Sequence, residues 1–225
     1  MKVAATLLLL VLLSAITLPV AAQPVVSYAI PDVVAPGMNI YLELVGPIGT
    51  IGNFGNDAFY MNNTGDAVRV ELVNALDAPN VTVGPVVVSW EGRLISTQLF
   101  VKSARTSGAP IQLRVTVNGV SGAPVSIGIM TPQTLGVGGT LTGGGALGSG
   151  GPLGNRSTNG VMIVDQMILT SGNYTVATGN YFPMIILSKG KVEVRSGATL
   201  SEKPCSVTQR FTRTPIAPIL ASRPF

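Results

Sequence analysis

The sequence predicts an all-β protein: an immunoglobulin-like β-sandwich, then a Gly-rich linker, then a short β-helix-like or irregular β segment. Three observations point there. Apolar and polar residues alternate in several segments, as half-buried strands require. Turn-forming Gly, Pro and Asn residues punctuate the chain about every 8–12 residues, the spacing of a sandwich built from short strands. No long segment repeats its apolar residues at a helical period. Charged residues make up only 11% of the chain, so the strands must be held by aliphatic packing rather than by ion pairs.

Residues 1–22 have the three-part layout of a secretory signal peptide. Lys2 gives a basic start, residues 3–16 are apolar apart from Thr6 and Ser14, and Pro19 breaks the run before Val20-Ala21-Ala22. The apolar run is shorter than the roughly 20 residues that span a bilayer. Cleavage is expected after Ala22, which places the mature protein outside the cytoplasm, secreted or at the cell surface. Cys205 is the only cysteine, so no disulfide forms within the chain.

Residues 23–131 read as a run of about seven strands. Met38, Ile40, Leu42 and Leu44 alternate with Asn39, Tyr41 and Glu43; Val68, Val70 and Leu72 alternate with Arg69 and Glu71. Ile111, Leu113, Val115 and Val117 alternate with Gln112, Arg114 and Thr116. Asn118-Gly119 between Val117 and Val120 is a strong hairpin signal, because both residues tolerate positive φ. Glu91-Gly92 reads as a second hairpin, between residues 86–90 and 93–101.

Two short phrases carry a family resemblance. Pro24, residues 27–31 and Pro36-Gly37-Met38-Asn39-Ile40 resemble the opening of an IPT/TIG domain, and residues 111–130 resemble its close. The resemblance implies an immunoglobulin-like binding module over about 105 residues. The sequence departs from that pattern at residues 46–59, which are longer and richer in Gly and Asn than the usual turn.

Residues 132–159, with the Gly-rich core 136–154, are expected to be a flexible linker. Gly143, Gly145 and Gly148 match G-x-G-x-x-G, but Ser149-Gly150-Gly151-Pro152 follows and cannot start the helix a dinucleotide site needs. Residues 160–201 form a second β-region, and residues 190–200 look like one rung of a parallel β-helix. Two or so coils are expected, too few to bury a continuous core. Residues 202–225 change character, with four Pro, the only Cys and a net charge of +3. They read either as a disordered basic tail or as the mark of a truncated or frame-altered chain.

Composition narrows the function. The tail and Lys2 account for the whole formal charge of +4, because residues 23–201 hold nine basic and nine acidic side chains. That neutral body offers no basic face to nucleic acid. The chain has no histidine, which removes His-dependent triads and most zinc sites. The acidic residues are scattered on strands and make no carboxylate pair for glycoside hydrolysis. Asn62, Asn80, Asn155 and Asn173 open formal glycosylation sequons, a pattern that Asn-rich turns also produce by chance.

Two groups remain as candidate sites. Asn53, Asn56, Asp57 and Asp66 offer oxygen ligands that suit calcium, although Asx residues also populate turns for their own backbone bonds. Phe54, Phe59, Tyr60 and Trp90 are candidate ligand contacts near the irregular loop. For Trp90, burial against the opposite sheet is the first expectation and stacking of an exposed ring on a sugar is the alternative. The preferred reading is a non-catalytic secreted or cell-surface protein for adhesion, glycan or protein binding, or display, with calcium as the one candidate cofactor. The alternatives are the accessory front end of a polysaccharide-degrading β-helix enzyme and a structural fibre or sheath subunit.

Overall fold

The computed structural model describes residues 23–48, 50, 53–54, 67–176 and 184–202. The expectations for the signal segment, for most of the 46–66 loop and for residues 203–225 lie outside these. The protein is all-β. Among the described residues, the first ten strands are β1 (Tyr28–Ile30), β2 (Val33–Val34), β3 (Met38–Val45), β4 (Val68–Leu72), β5 (Val81–Val83), β6 (Val87–Ser89), β7 (Leu94–Val101), β8 (Ile111–Val117), β9 (Val120–Ser121) and β10 (Val125–Ile129). They form two sheets. One has the order β1-β3-β7-β5 with β6 also on β7; the other has β2-β10-β8-β4 with β9 also on β8. All these pairings are antiparallel except β2 with β10.

The alternation in the sequence becomes the core. Met38, Ile40, Leu42 and Leu44 of β3 are buried with Ile111, Leu113 and Val115 of β8 in one apolar cluster. Residues from both sheets enter that cluster, so each sheet covers the other's apolar face. Pro31 and Asp32 are the only residues between β1 and β2, which lie in different sheets. Pro31 has no N–H for a ladder bond, and the strand leaves the first sheet there.

The Asn118-Gly119 hairpin forms as its sequence requires. Val117 pairs with Val120, and φ is 49° at Asn118 and 84° at Gly119. No atom lies within 4 Å of a Cβ built on Gly119, so a substitution there meets only the backbone penalty. Gly119→Val is expected to cost about 1–3 kcal/mol, read as a lowered urea midpoint.

Between β4 and β5 runs a 3-10 turn, Ala75–Asp77, whose Leu76 amide donates to Asn74 Oδ1 at 3.0 Å. Asp77 bonds Arg105 at 2.9 Å, and the two side chains are 9% and 2% exposed. The same guanidinium donates to the carbonyls of Ser107 and Ala109. The ion pair therefore fastens the β4–β5 connection to the β7–β8 connection.

The second part of the chain holds β11 (Thr140–Leu141), β12 (Gly145–Leu147), β13 (Val161–Val164), β14 (Met167–Leu169), β15 (Gly172–Val176), β16 (Ile185–Ser188), β17 (Val192–Val194) and β18 (Ala198–Glu202). They stack in parallel as β11-β14-β17, β12-β15-β18 and β13-β16. A parallel bridge from Gln133 to Val164 extends the third stack. The chain thus winds through three faces and three tiers, a short β-helix-like coil. A 3-10 turn, Gly151–Leu153, lies against the first tier, where Leu153 packs on the coil core and Gly136 donates to the Pro152 carbonyl.

This corrects two expectations. The Gly-rich stretch is not a free linker: it supplies β11 and β12, the first tier. Residues 160–201 form two coils, as expected, but with that first tier they make three and enclose a core of their own that includes Leu141, Leu147, Met162, Leu169 and Tyr174, where no continuous core is expected. The glycines serve geometry rather than chain entropy, since all ten between residues 136 and 154 have positive φ. Two tiers approach closely at the corner between the β14 and β15 faces. A Cβ on Gly172 would strike the backbone of Gly143 and Gly144, and one on Gly144 would lie 2.5 Å from the Asn173 carbonyl oxygen.

The coil and the sandwich share contacts. Val161 and Ile163 of β13, with Leu187 of β16, belong to the sandwich cluster, whereas Met162, Val164 and Ile186 face the coil core. A strand buried on both faces has no reason to alternate, which explains the unbroken Val-Met-Ile-Val. Beside it, Asp32 accepts from the Ser157 hydroxyl at 3.0 Å and from the Asn159 amide at 2.8 Å. Both carboxylate oxygens are used. Asp32→Ala is expected to cost about 1–3 kcal/mol, because two donors at the junction lose a charged acceptor; a chemical denaturation series checks it.

Candidate functional site

Of the residues that the sequence offers as sites, the structure describes Asn53, Phe54 and Trp90. Phe54 is fully buried in the sandwich core and is no ligand contact. Its amide donates to the Gly92 carbonyl at 2.8 Å, which ties the segment to the β6–β7 turn. Asn53 spends its carboxamide on the chain itself: Oδ1 accepts from the Val25 amide and Nδ2 donates to the Val25 carbonyl. It is a backbone clamp rather than a free cation ligand. Asn56, Asp57, Phe59, Tyr60 and Asp66 lie outside the described residues. Among the described residues no group of three or more His, Cys, Asp or Glu side chains could hold a metal ion.

Trp90 is where the expectation of a buried ring fails. β6 ends at Ser89, and Ser89 pairs with Leu94, so Trp90 to Arg93 form the turn of the β6–β7 hairpin. Trp90, Glu91 and Gly92 all have positive φ, at 57°, 54° and 74°. For a bulky side chain this is uncommon backbone, costing roughly 1–2 kcal/mol per non-Gly residue. Arg93 holds the turn. Its amide and its Nε both donate to the Trp90 carbonyl at 3.1 Å, and its guanidinium bonds Glu91 at 2.8 Å. The Trp90 side chain is left 44% exposed.

The turn stands at one end of an open sheet face. On β7 the buried residues Ile95, Thr97, Leu99 and Val101 alternate with Leu94, Ser96, Gln98 and Phe100, which face away from the core. Across β3 their partners are Val45, Glu43, Tyr41 and Asn39, in that order. Tyr41 is 59% exposed, Phe100 37% and Val87, opposite Ser96, 44%. Tyr41 and Phe100 are diagonal neighbours, because Tyr41 pairs with Gln98 and Asn39 with Phe100. On the far side Gly84 bonds Gln98 and brings no side chain, so Gln98 stays uncovered between Thr82 and Val87. Val45, opposite Leu94, is only 6% exposed, so the open part of the face runs from Ser96 to Phe100, about 13 Å.

Charge on this face is sparse. Glu43 is its one acidic position among the described strand residues, and the Arg93–Glu91 pair sits at the turn. The titration shift that stands out lies elsewhere, on β17. Hydrogen bonds from Lys191 and then Arg195 hold the Glu193 carboxyl below its ordinary value. The side chains of that cluster are well exposed, at 59% for Lys191, 51% for Arg195 and 30% for Glu193.

Sequence reasoning named Trp90 but missed Phe100 and Val87 as exposed positions. The outward parity of β7 was the available signal, since Leu94, Ser96, Gln98 and Phe100 alternate with the core residues. The chain matches no protein-family model, no curated protein and no solved structure.

Proposed function

We propose that the protein is a non-catalytic binding and display module that works outside the cytoplasm, secreted or at the cell surface. The observation that carries this reading is the outer face of the first sheet, where Tyr41, Phe100 and Val87 are exposed, with Trp90 exposed in the adjoining β6–β7 turn. Apolar and aromatic groups gathered on one side of a sandwich are a common mark of an interaction surface. The opposite layer and the coil supply support: the shared cluster and the Asp32 clamp fix the coil to the sandwich. The strand orders β1-β3-β7-β5 and β2-β10-β8-β4 also suit an immunoglobulin-like module, a frame used for binding in many proteins. The secretory layout of residues 1–22 supports the location.

The test is retention by the source organism's own envelope. The intact protein is mixed with washed envelope fractions and sedimented. Saturable depletion from the supernatant, together with a native chain that begins at Gln23, is the expected result. A native chain that keeps Lys2 in the cytosolic fraction, or no depletion by any fraction, contradicts the reading.

A further inference from the structure

Resting on that reading, we propose that the outer face of the first sheet is a strip for an extended, uncharged glycan, with Tyr41, Phe100 and Trp90 as its stacking rings. Tyr41 and Phe100 lie diagonally on adjacent strands, and Trp90 marks the other end of β7. The open strip from Ser96 to Phe100 follows β7 for about 13 Å, the reach of two or three sugar units rather than of one. Sugar rings present flat C–H faces that pack on aromatic surfaces, and their hydroxyls need polar neighbours.

The strip provides both. Ser96 and Gln98 run down its middle, with Asn39 and Thr82 on its flanks. Apart from Glu43, opposite Ser96, these are uncharged donors and acceptors, which suit a neutral chain with hydroxyls to donate to that carboxylate. A protein partner would favour a continuous apolar centre, whereas here polar side chains separate the rings.

The backbone at Trp90 is an independent observation. Two consecutive non-Gly residues with positive φ, held by three bonds from Arg93, are a strained feature of the kind that clusters at ligand sites. In this turn, next to the start of β7, Trp90 is 44% exposed.

Trp90 is the only tryptophan, so its fluorescence reports this end of the strip alone. The intact protein is titrated with cellohexaose, xylohexaose, β-1,4-mannohexaose and chitohexaose. At least one is expected to shift the emission in a saturable way. Calorimetry with that sugar should then show Tyr41→Ala and Phe100→Ala each weakening binding about tenfold or more, and Tyr41→Phe within about twofold. Leu76→Ala, an 83% exposed apolar position on the β4–β5 connection, should change nothing.

A flat response to all four sugars overturns the proposal, as does full binding by both alanine variants. The envelope assay separates this failure from failure of the broader reading. If the Tyr41→Ala/Phe100→Ala double variant is still retained, the strip is wrong while the binding role stands. If protease treatment of the envelope abolishes retention, the partner is a protein and the glycan assignment falls.

Discussion

Arg105→Ala is expected to destabilise the protein by about 3–5 kcal/mol, and Asp77→Ala by a similar amount. The two side chains are 2% and 9% exposed, so each charge relies on the other in place of water. Removing one leaves an uncompensated buried ion. The loss extends beyond the pair, because the guanidinium also serves the carbonyls of Ser107 and Ala109. In a unit of this size the change corresponds to a fall of about 6–20 °C in Tm. A combined Asp77→Leu/Arg105→Met variant removes both charges and should recover at least half of the loss, since burying neither ion is cheaper than burying one. Thermal unfolding of the three variants checks this. Single variants that melt within about 2 °C of the parent would mean that water reaches the pair.

Gly172→Ala and Gly144→Ala are expected to cost about 2–6 kcal/mol each. Two penalties combine there: a positive φ, worth about 1–3 kcal/mol, and a steric clash worth about as much again. Both glycines have positive φ, at 95° and 82°. The atoms that a methyl group would meet are backbone atoms of the adjacent tier, which cannot rotate away as a side chain can. Gly143→Ala is the internal control. Its φ is 87°, but no atom lies within 4 Å of its Cβ position, so it meets only the first penalty. The order of effect, with Gly172 and Gly144 well above Gly143, can be read from denaturant midpoints. Equal costs at all three positions would mean that the tiers do not approach at this corner.

Much of the fold was legible, for a physical reason that also explains what was not. Strands buried on one face keep a period of two, and β3 and β8 announce themselves by it. β13 is buried on both faces, so its four apolar residues are silent about which pair faces the sandwich. The Gly-rich stretch misled more seriously. Composition cannot distinguish glycines that leave a chain free from glycines that allow positive φ and close stacking. Only the neighbouring tier shows that Gly144 and Gly172 are of the second kind. The Asp77–Arg105 pair was likewise hidden, since 28 residues separate its members.

The candidate site was less legible. Trp90 was visible as a ring, but its backbone conformation was not, and burial was the natural expectation for a lone tryptophan beside a strand. Phe54, whose amide bonds Gly92 of the same turn, is buried in the sandwich core. Tyr41 and Phe100 occupy the outward parity of their strands. That parity was readable for Tyr41, yet nothing in the sequence placed Phe100 beside it, because the register of β3 on β7 joins positions about 60 residues apart.

The central claim is that the Gly-rich segment is the first tier of a coil joined to the sandwich, not a tether between two bodies. Amide hydrogen exchange of the intact protein tests it most directly. Gly139, Gly143 and Gly148 donate to the carbonyls of Leu135, Ser171 and Leu153. The account predicts that these amides exchange slower than free chain by about a hundredfold or more, with β13 protected alongside β8. Exchange of residues 136–154 at the rate of unstructured peptide would contradict it.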